Sequence, residues 1–72
     1  MNPIYKPTPE LWERCRHGEA LTNEELLCLH RDTVATLASI EARGPRFAIV
    51  AVALRDEGNV LLGSLQARGL AK

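Results

Sequence analysis

The sequence predicts an all-α fold, an antiparallel hairpin of two long helices preceded by a short helix. Three observations favour this fold. Apolar residues recur at helical spacing in two long segments, Thr22-Asn23-Glu24-Glu25 has the form of a capping box, and Gly44-Pro45 separates the two segments. Because so short a link joins helices that are neighbours in space, we expect the long helices to pack side by side.

The composition predicts one small cytoplasmic domain, residues 1 to 72, without a membrane segment. Nine basic residues balance nine acidic ones, so the chain has no general attraction for nucleic acid or anionic lipid. No apolar run follows a basic start, and the longest uncharged apolar run, FAIVAVAL, is too short to span a bilayer. The two cysteines are expected to be reduced thiols.

The N-terminal part of the chain predicts an extended arm over residues 1 to 8 and a short helix over residues 9 to 17. Three prolines in MNPIYKPTPE favour the extended arm. Thr8 can then act as an N-cap, with Pro9 at the first helical position and an acidic residue in the first turn. Gly18 supplies the C-terminal stop.

The first long helix is expected over residues 22 to 43. Thr22 and Glu25 would cap it reciprocally, and Gly44-Pro45 would end it. A rotation of about 100° per residue separates an apolar face from an outer column of small residues. The predicted apolar face comprises Leu26, Leu29, His30, Thr33, Val34, Leu37 and Ile40. The predicted outer column comprises Cys28, Ala35, Ser39 and Ala42.

The segment after the link predicts a second long helix over residues 46 to 68, with a β-hairpin as the alternative. Residues 47 to 54 do not alternate apolar and polar side chains, as a strand of a small antiparallel sheet would. The turn-like run Asp56-Glu57-Gly58-Asn59 keeps open an α+β fold with a C-terminal β-hairpin. The predicted buried face of the helix comprises Phe47, Val50, Leu54, Gly58, Leu61 and Leu65.

A second copy of the chain is expected to complete the core. A single core in a chain of this size rarely provides more than roughly 3 to 5 kcal/mol, and two amphipathic helices leave one side of their seam open. We therefore expect a homodimeric four-helix assembly. The predicted core and dimer seam comprises Leu26, Leu37, Leu54, Leu61 and Leu65.

The stretch CRHGEALTNEELLCLH contains both cysteines and both histidines of the chain. The Cys-x-His spacing is not one that structural zinc sites commonly use. On a helix, Cys28 and His30 lie about 200° apart, so one ion could not contact both side chains. The sequence also lacks a nucleophile motif and a phosphate-binding loop. We expect no metal, no cofactor and no enzymatic activity.

The run LTNEELLCLHRDTV, with Leu21-Thr22 and Glu25-Leu26 leading to His30-Arg31, resembles the first long helix of the TraM-type anti-activators. The leucine-rich end NVLLGSLQARGL is similar to the second helix of their two-helix plan. The resemblance covers about residues 20 to 70 and leaves the arm MNPIYKPTPELW unmatched, so no binding residue is transferred. It implies a small helical protein, encoded by a bacterium, plasmid or phage, that binds a LuxR-type quorum-sensing transcription factor and blocks DNA binding.

The predicted function is non-enzymatic: the chain covers the functional surface of a bacterial transcription regulator and acts as an anti-activator of quorum sensing. The predicted partner-binding patch comprises Tyr5, Trp12, Ile49, Val52 and Leu62. Tyrosine and tryptophan are common interface anchors, and surplus apolar surface marks interaction sites. One alternative is a small dimeric RNA-binding regulator of the plasmid copy-control kind that uses Arg43 and Arg46. Another alternative is a structural subunit of a larger assembly.

Overall fold

The computed structural model describes residues 6–71. They form α1 (Pro9–Arg16), α2 (Asn23–Glu41), a short 3₁₀ turn (Pro45–Phe47) and α3 (Ala48–Ala67). This range contains no β-strand, so the all-α prediction is confirmed and the β-hairpin alternative is wrong. None of its helices is both long and apolar enough to cross a membrane. Most of the predicted extended arm, residues 1–5, lies outside the described residues.

Local hydrogen bonds set the helix starts close to their predicted positions. The Leu11 N–H donates to Thr8 Oγ1 at 3.2 Å, so Thr8 caps α1. The Glu25 N–H donates to Thr22 Oγ1 at 3.1 Å, and the Thr22 N–H donates to Glu25 Oε1 at 2.8 Å. This reciprocal pair is the predicted capping box, and it fixes the start of α2.

The link between the long helices contains a tight turn of its own. α2 ends at Glu41, and Gly44 has a φ of 97°, in the region that favours glycine. The predicted helix over residues 46 to 68 divides into the 3₁₀ turn and α3, which begins only at Ala48. Pro45 suits the first position of that turn, because the N–H that proline lacks would have no partner within the turn.

The main core lies at the end of the hairpin away from the link. Its buried leucines, each 6% exposed or less, are Leu11, Leu26, Leu29, Leu61 and Leu65. The hydroxyl group of Thr33, one turn after Leu29, donates to the Leu29 carbonyl oxygen at 2.8 Å and is therefore satisfied. In α3 the only buried residue before Leu61 is Ala51. The half of the hairpin near the link therefore keeps much of its apolar surface exposed.

Arginine side chains join the helices at the core end of the hairpin. Arg14 Nη1 lies 2.8 Å from Glu25 Oε2 and connects α1 to α2. Arg68, just after α3, donates through Nη1 to the Leu21 carbonyl oxygen at 2.8 Å and to Asn23 Oδ1 at 2.9 Å. These contacts connect all three helices around the leucine core.

Candidate protein-binding surfaces

The described members of the predicted partner-binding patch lie at separate places in the structure. Ile49 and Val52 are exposed on the first part of α3, at 87% and 53% of their full surface. Leu62 is half-buried beside α2. Trp12 is half-buried and packs against the leucine core. Tyr5 lies outside the described residues, so its role stays a prediction.

The distance along α3 separates Trp12 from Ile49. Leu61 belongs to the core against which Trp12 packs, and it follows Ile49 by twelve residues. At about 1.5 Å per residue, this separation is about 18 Å along the helix. Trp12 therefore covers the core end of the hairpin and does not flank Ile49. Among the predicted set, Ile49 and Val52 have the exposure that a partner-binding surface needs.

The five predicted seam leucines divide into two groups. Leu26, Leu61 and Leu65 are buried inside the single chain, at 3% exposure or less, and form the core of its own hairpin. Leu37 and Leu54 are half-buried and line a groove between α2 and α3. Only these two members of the predicted seam leave surface for a second chain to cover.

A groove runs along one side of α2 and α3, and we name it the α2–α3 groove. It consists of two adjoining hollows of about 390 and 220 Å³ that share Arg55. The hollow near the link is lined mainly by Phe47, Ala48, Ala51 and Val52. The hollow near the core is lined mainly by His30, Val34, Leu37, Leu54, Gly58 and Leu62. Arg55 Nη2 donates to Glu41 Oε2 at 3.2 Å and so joins the two helices beside the groove.

Part of the groove lining follows a seven-residue repeat on both helices. The repeat on α2 consists of His30, Val34, Leu37 and Glu41. The repeat on α3 consists of Ala48, Val52, Arg55, Asn59 and Leu62. Alternating steps of four and three residues form a stripe that is typical of helices packing against other helices. The sequence contains this spacing, but polar residues interrupt it, so a search for apolar faces alone does not find the groove.

A second apolar surface lies on the side of α3 that faces away from the core, and we name it the outer stripe. It comprises Ile49, Ala53, Val60 and Ala67, which lie within about 40° of one another at about 100° per residue. All four residues are exposed, Ile49 at 87% and Val60 at 71%. Single exposed apolar residues are ordinary, whereas an aligned row of them indicates an interaction surface.

The two arginines of the RNA-binding alternative lie beside the link, and both Arg43 and Arg46 are exposed. The Arg43 Cζ atom lies 5.9 Å from the centre of the Phe47 ring, within cation–π range. Proteins that bind nucleic acid strongly through its backbone make about 6–10 phosphate contacts. Two exposed arginines per chain can contact far fewer phosphates than this.

The cysteines lie where thiol chemistry is disfavoured. The placement of Cys28 in an outer column is wrong, because packing around α2 extends beyond its α3-facing side and leaves Cys28 only 1% exposed. Burial raises the pKa of the Cys15 thiol, and the nearby Glu57 carboxylate raises it further, against the opposing effect of Arg16. A thiol with a raised pKa is a weak nucleophile at neutral pH. Within residues 6–71, no three His, Cys, Asp or Glu side chains are grouped as a metal site would need.

The most perturbed carboxylate of the described residues has a structural role. The pKa of Glu25 is lowered mainly because the Thr22 backbone N–H donates to its carboxylate, and Arg14 adds to the effect. These contacts are those of the capping box and of the ion pair to α1. Glu25 therefore maintains the fold, and its pKa gives no indication of acid–base catalysis.

The described part of the chain thus presents two apolar surfaces on rigid helices, the α2–α3 groove and the outer stripe. Both surfaces present apolar side chains at the helical spacing through which helices pack against other helices. Comparison with known proteins gives no match: no family model, no curated protein and no solved structure corresponds to this sequence.

Proposed function

We propose that this chain is a non-enzymatic inhibitor, a cytoplasmic homodimer that sequesters a bacterial transcription regulator of the LuxR type and thereby acts as an anti-activator of quorum sensing. The observation that supports it best is the outer stripe, since Ile49 and Val60 are exposed on a helix whose opposite face already packs in the core. The choice of target rests on the resemblance of α2 and the end of α3 to the TraM-type proteins.

The outer stripe offers enough apolar surface to anchor a partner protein. From Ile49 to Ala67 it is about 27 Å long at about 1.5 Å per residue. Fully burying an isoleucine or valine side chain contributes about 1.5–3 kcal/mol. Ile49 and Val60 together would therefore contribute roughly 3–6 kcal/mol before the entropic cost of association. This is a substantial share of the affinity of a micromolar complex, about 8 kcal/mol.

Inhibition would occur by occlusion. An amphipathic helix binds into an apolar groove through anchors spaced along one face, and the outer stripe has such a face. Asp56 is exposed within the stripe, between Ala53 and Val60, and would pair with a basic residue of the target. A regulator whose apolar groove is filled by α3 would be held away from DNA or from its second subunit without any covalent step.

Two assays test this proposal: repression of a reporter gene driven by a LuxR-type regulator, and direct binding to that purified regulator. Ile49→Glu and Val60→Glu should each abolish both activities, because burying an unpaired charge in an apolar interface is costly. Val50→Glu is the matched control, since Val50 is also an exposed valine of α3, at 45%, on another side of the helix. It should repress like the wild type.

Two results would contradict the proposal in different ways. A wild-type chain that neither binds the regulator nor represses the reporter contradicts the choice of target. Full repression by both glutamate variants, with wild-type helix content by circular dichroism, contradicts the outer stripe as the binding surface.

A second candidate is a small dimeric RNA-binding regulator, because Arg43 and Arg46 are exposed together at the link. Binding through phosphates weakens with salt, with a slope of about −0.7 for each contact to single-stranded nucleic acid. Binding through apolar side chains does not weaken in this way. RNA retained at low salt, lost at high salt and lost from Arg43→Ala and Arg46→Ala variants would favour this candidate over the inhibitor.

A further inference from the structure

We infer that the α2–α3 groove is the homodimer interface and that two copies pack groove to groove, with the two-fold axis parallel to the helices. This inference rests on the homodimer of the proposed function and adds the surface and the orientation. In the resulting four-helix bundle, α2 of one protomer lies antiparallel on α3 of its partner. The outer stripe stays free to bind a target.

The spacing along the groove favours another pair of helices as its occupant. Both walls present side chains at alternating steps of four and three residues, over about 16 Å on α2 and about 21 Å on α3 at about 1.5 Å per residue. A second copy presents the same repeat over the same length. Its half-exposed Val34, together with Leu37, can enter the hollows as knobs enter holes.

Charge identifies the occupant as a second copy. The groove is lined by one carboxylate, Glu41, and one guanidinium, Arg55, with no surplus of either sign. A two-fold axis parallel to the helices exchanges the two walls, so it brings the partner's Glu41 to Arg55 and the partner's Arg55 to Glu41. The net charge of the chain is zero, so two copies do not repel each other at long range.

The register follows from contacts within one chain. Glu41 and Arg55 are at the same level of the hairpin, 3.2 Å apart, and Thr33 is at the level of Gly58, where an added Cβ would lie 3.5 Å from Thr33 Cγ2. The two-fold rotation preserves these levels. The partner's Val34 therefore lies at the level of Gly58.

Sedimentation equilibrium from low micromolar to high micromolar concentration tests the surface, with no regulator present. The wild type should form a dimer. Val34→Glu should weaken dimerisation at least about a hundredfold, because symmetry buries the new charge twice. Val60→Glu is the matched control, an exposed valine changed to the same residue on the outer stripe. It should dimerise like the wild type while losing regulator binding, which separates this inference from the proposed function.

Charge exchange tests the orientation. Arg55→Glu and Glu41→Arg should each weaken the homodimer, since like charges then face each other across the interface. An equimolar mixture of the two variants should form a heterodimer, detected by native mass spectrometry, because both interchain pairs are restored. If Val34→Glu loses helix content by circular dichroism, the two charge variants still test whether the groove is the dimer interface.

Three results would overturn the inference. A wild-type chain that remains monomeric at every concentration contradicts the homodimer itself. If Val60→Glu dissociates the dimer and folded Val34→Glu does not, the interface is the outer stripe and not the groove. Failure of the two charge variants to form a heterodimer, while each folds, removes the proposed orientation.

Discussion

Gly58 lies in the middle of α3, and its replacement by alanine tests how closely α2 and α3 pack. A glycine in a helix interior costs about 1 kcal/mol relative to alanine. The new Cβ would lie 3.5 Å from Thr33 Cγ2, which is an ordinary van der Waals distance. No steric cost therefore offsets the gain. We expect Gly58→Ala to raise the free energy of unfolding by about 1 kcal/mol, and Tm by about 4–8 °C for a chain of this size.

Gly63→Ala is the matched control for this experiment. Gly63 is exposed on the same helix, and an added Cβ there would meet nothing within 4 Å. Gly63→Ala should gain only the higher helix propensity of alanine, so the free energies of unfolding of the two variants should rise equally. Both are measured by urea unfolding with far-UV circular dichroism, at one fixed protein concentration, because dimerisation links stability to concentration.

One result would refute the packing distance at Thr33. If Gly58→Ala is less stable than Gly63→Ala by more than about 1 kcal/mol, the added methyl group is overpacked, as in other small-to-large core changes. The two helices would then be closer at this level than the structure places them. Equal stabilisation of both variants would support the observed separation of α2 and α3.

Three further predictions concern the core and the cap. Leu29→Ala should cost about 2–5 kcal/mol in urea unfolding, because Leu29 is fully buried, whereas Leu27→Ala, at a residue 42% exposed, should cost clearly less. Thr22→Ala should cost about 1 kcal/mol, since it removes the oxygen that accepts from the Glu25 N–H; an unchanged midpoint would count against the capping box. The lowered pKa of Glu25 makes its carboxylate stabilising above the pKa of an unfolded glutamate, about 4.3, and this stabilisation is lost as pH falls through the lower pKa of the folded chain. Glu25→Gln should therefore flatten the decline of stability in that acidic range, and an unaltered profile would contradict the assignment.

The helix ends were predictable because they depend on groups only a few residues apart. The Thr22–Glu25 pair and the Thr8 cap each close a hydrogen bond over three residues, so the residue types alone indicate them. Gly18 and Gly44 adopt positive φ, which ends α1 and turns the chain after α2. Periodicity then distinguished the helix from the β-hairpin after the link.

The extent of burial on each side of a helix was less predictable. Helical periodicity places Val50 in the core, but its side chain is 45% exposed; it places Cys28 on the outer side of α2, but Cys28 is buried. Helical periodicity places a residue at an angle around its own axis. It does not state which sides of that helix other parts of the chain will cover.

The sequence by itself determined the all-α fold, the caps and the antiparallel hairpin, because these depend on local hydrogen bonds and on one short link. The tertiary structure decided that Trp12 packs against the core and that Arg55 lines a groove with its guanidinium 3.2 Å from Glu41. It also decided that Ile49 and Val60 remain outside. Those outcomes depend on how separate helices pack against one another, and such non-local packing is not a function of the spacing within any one helix.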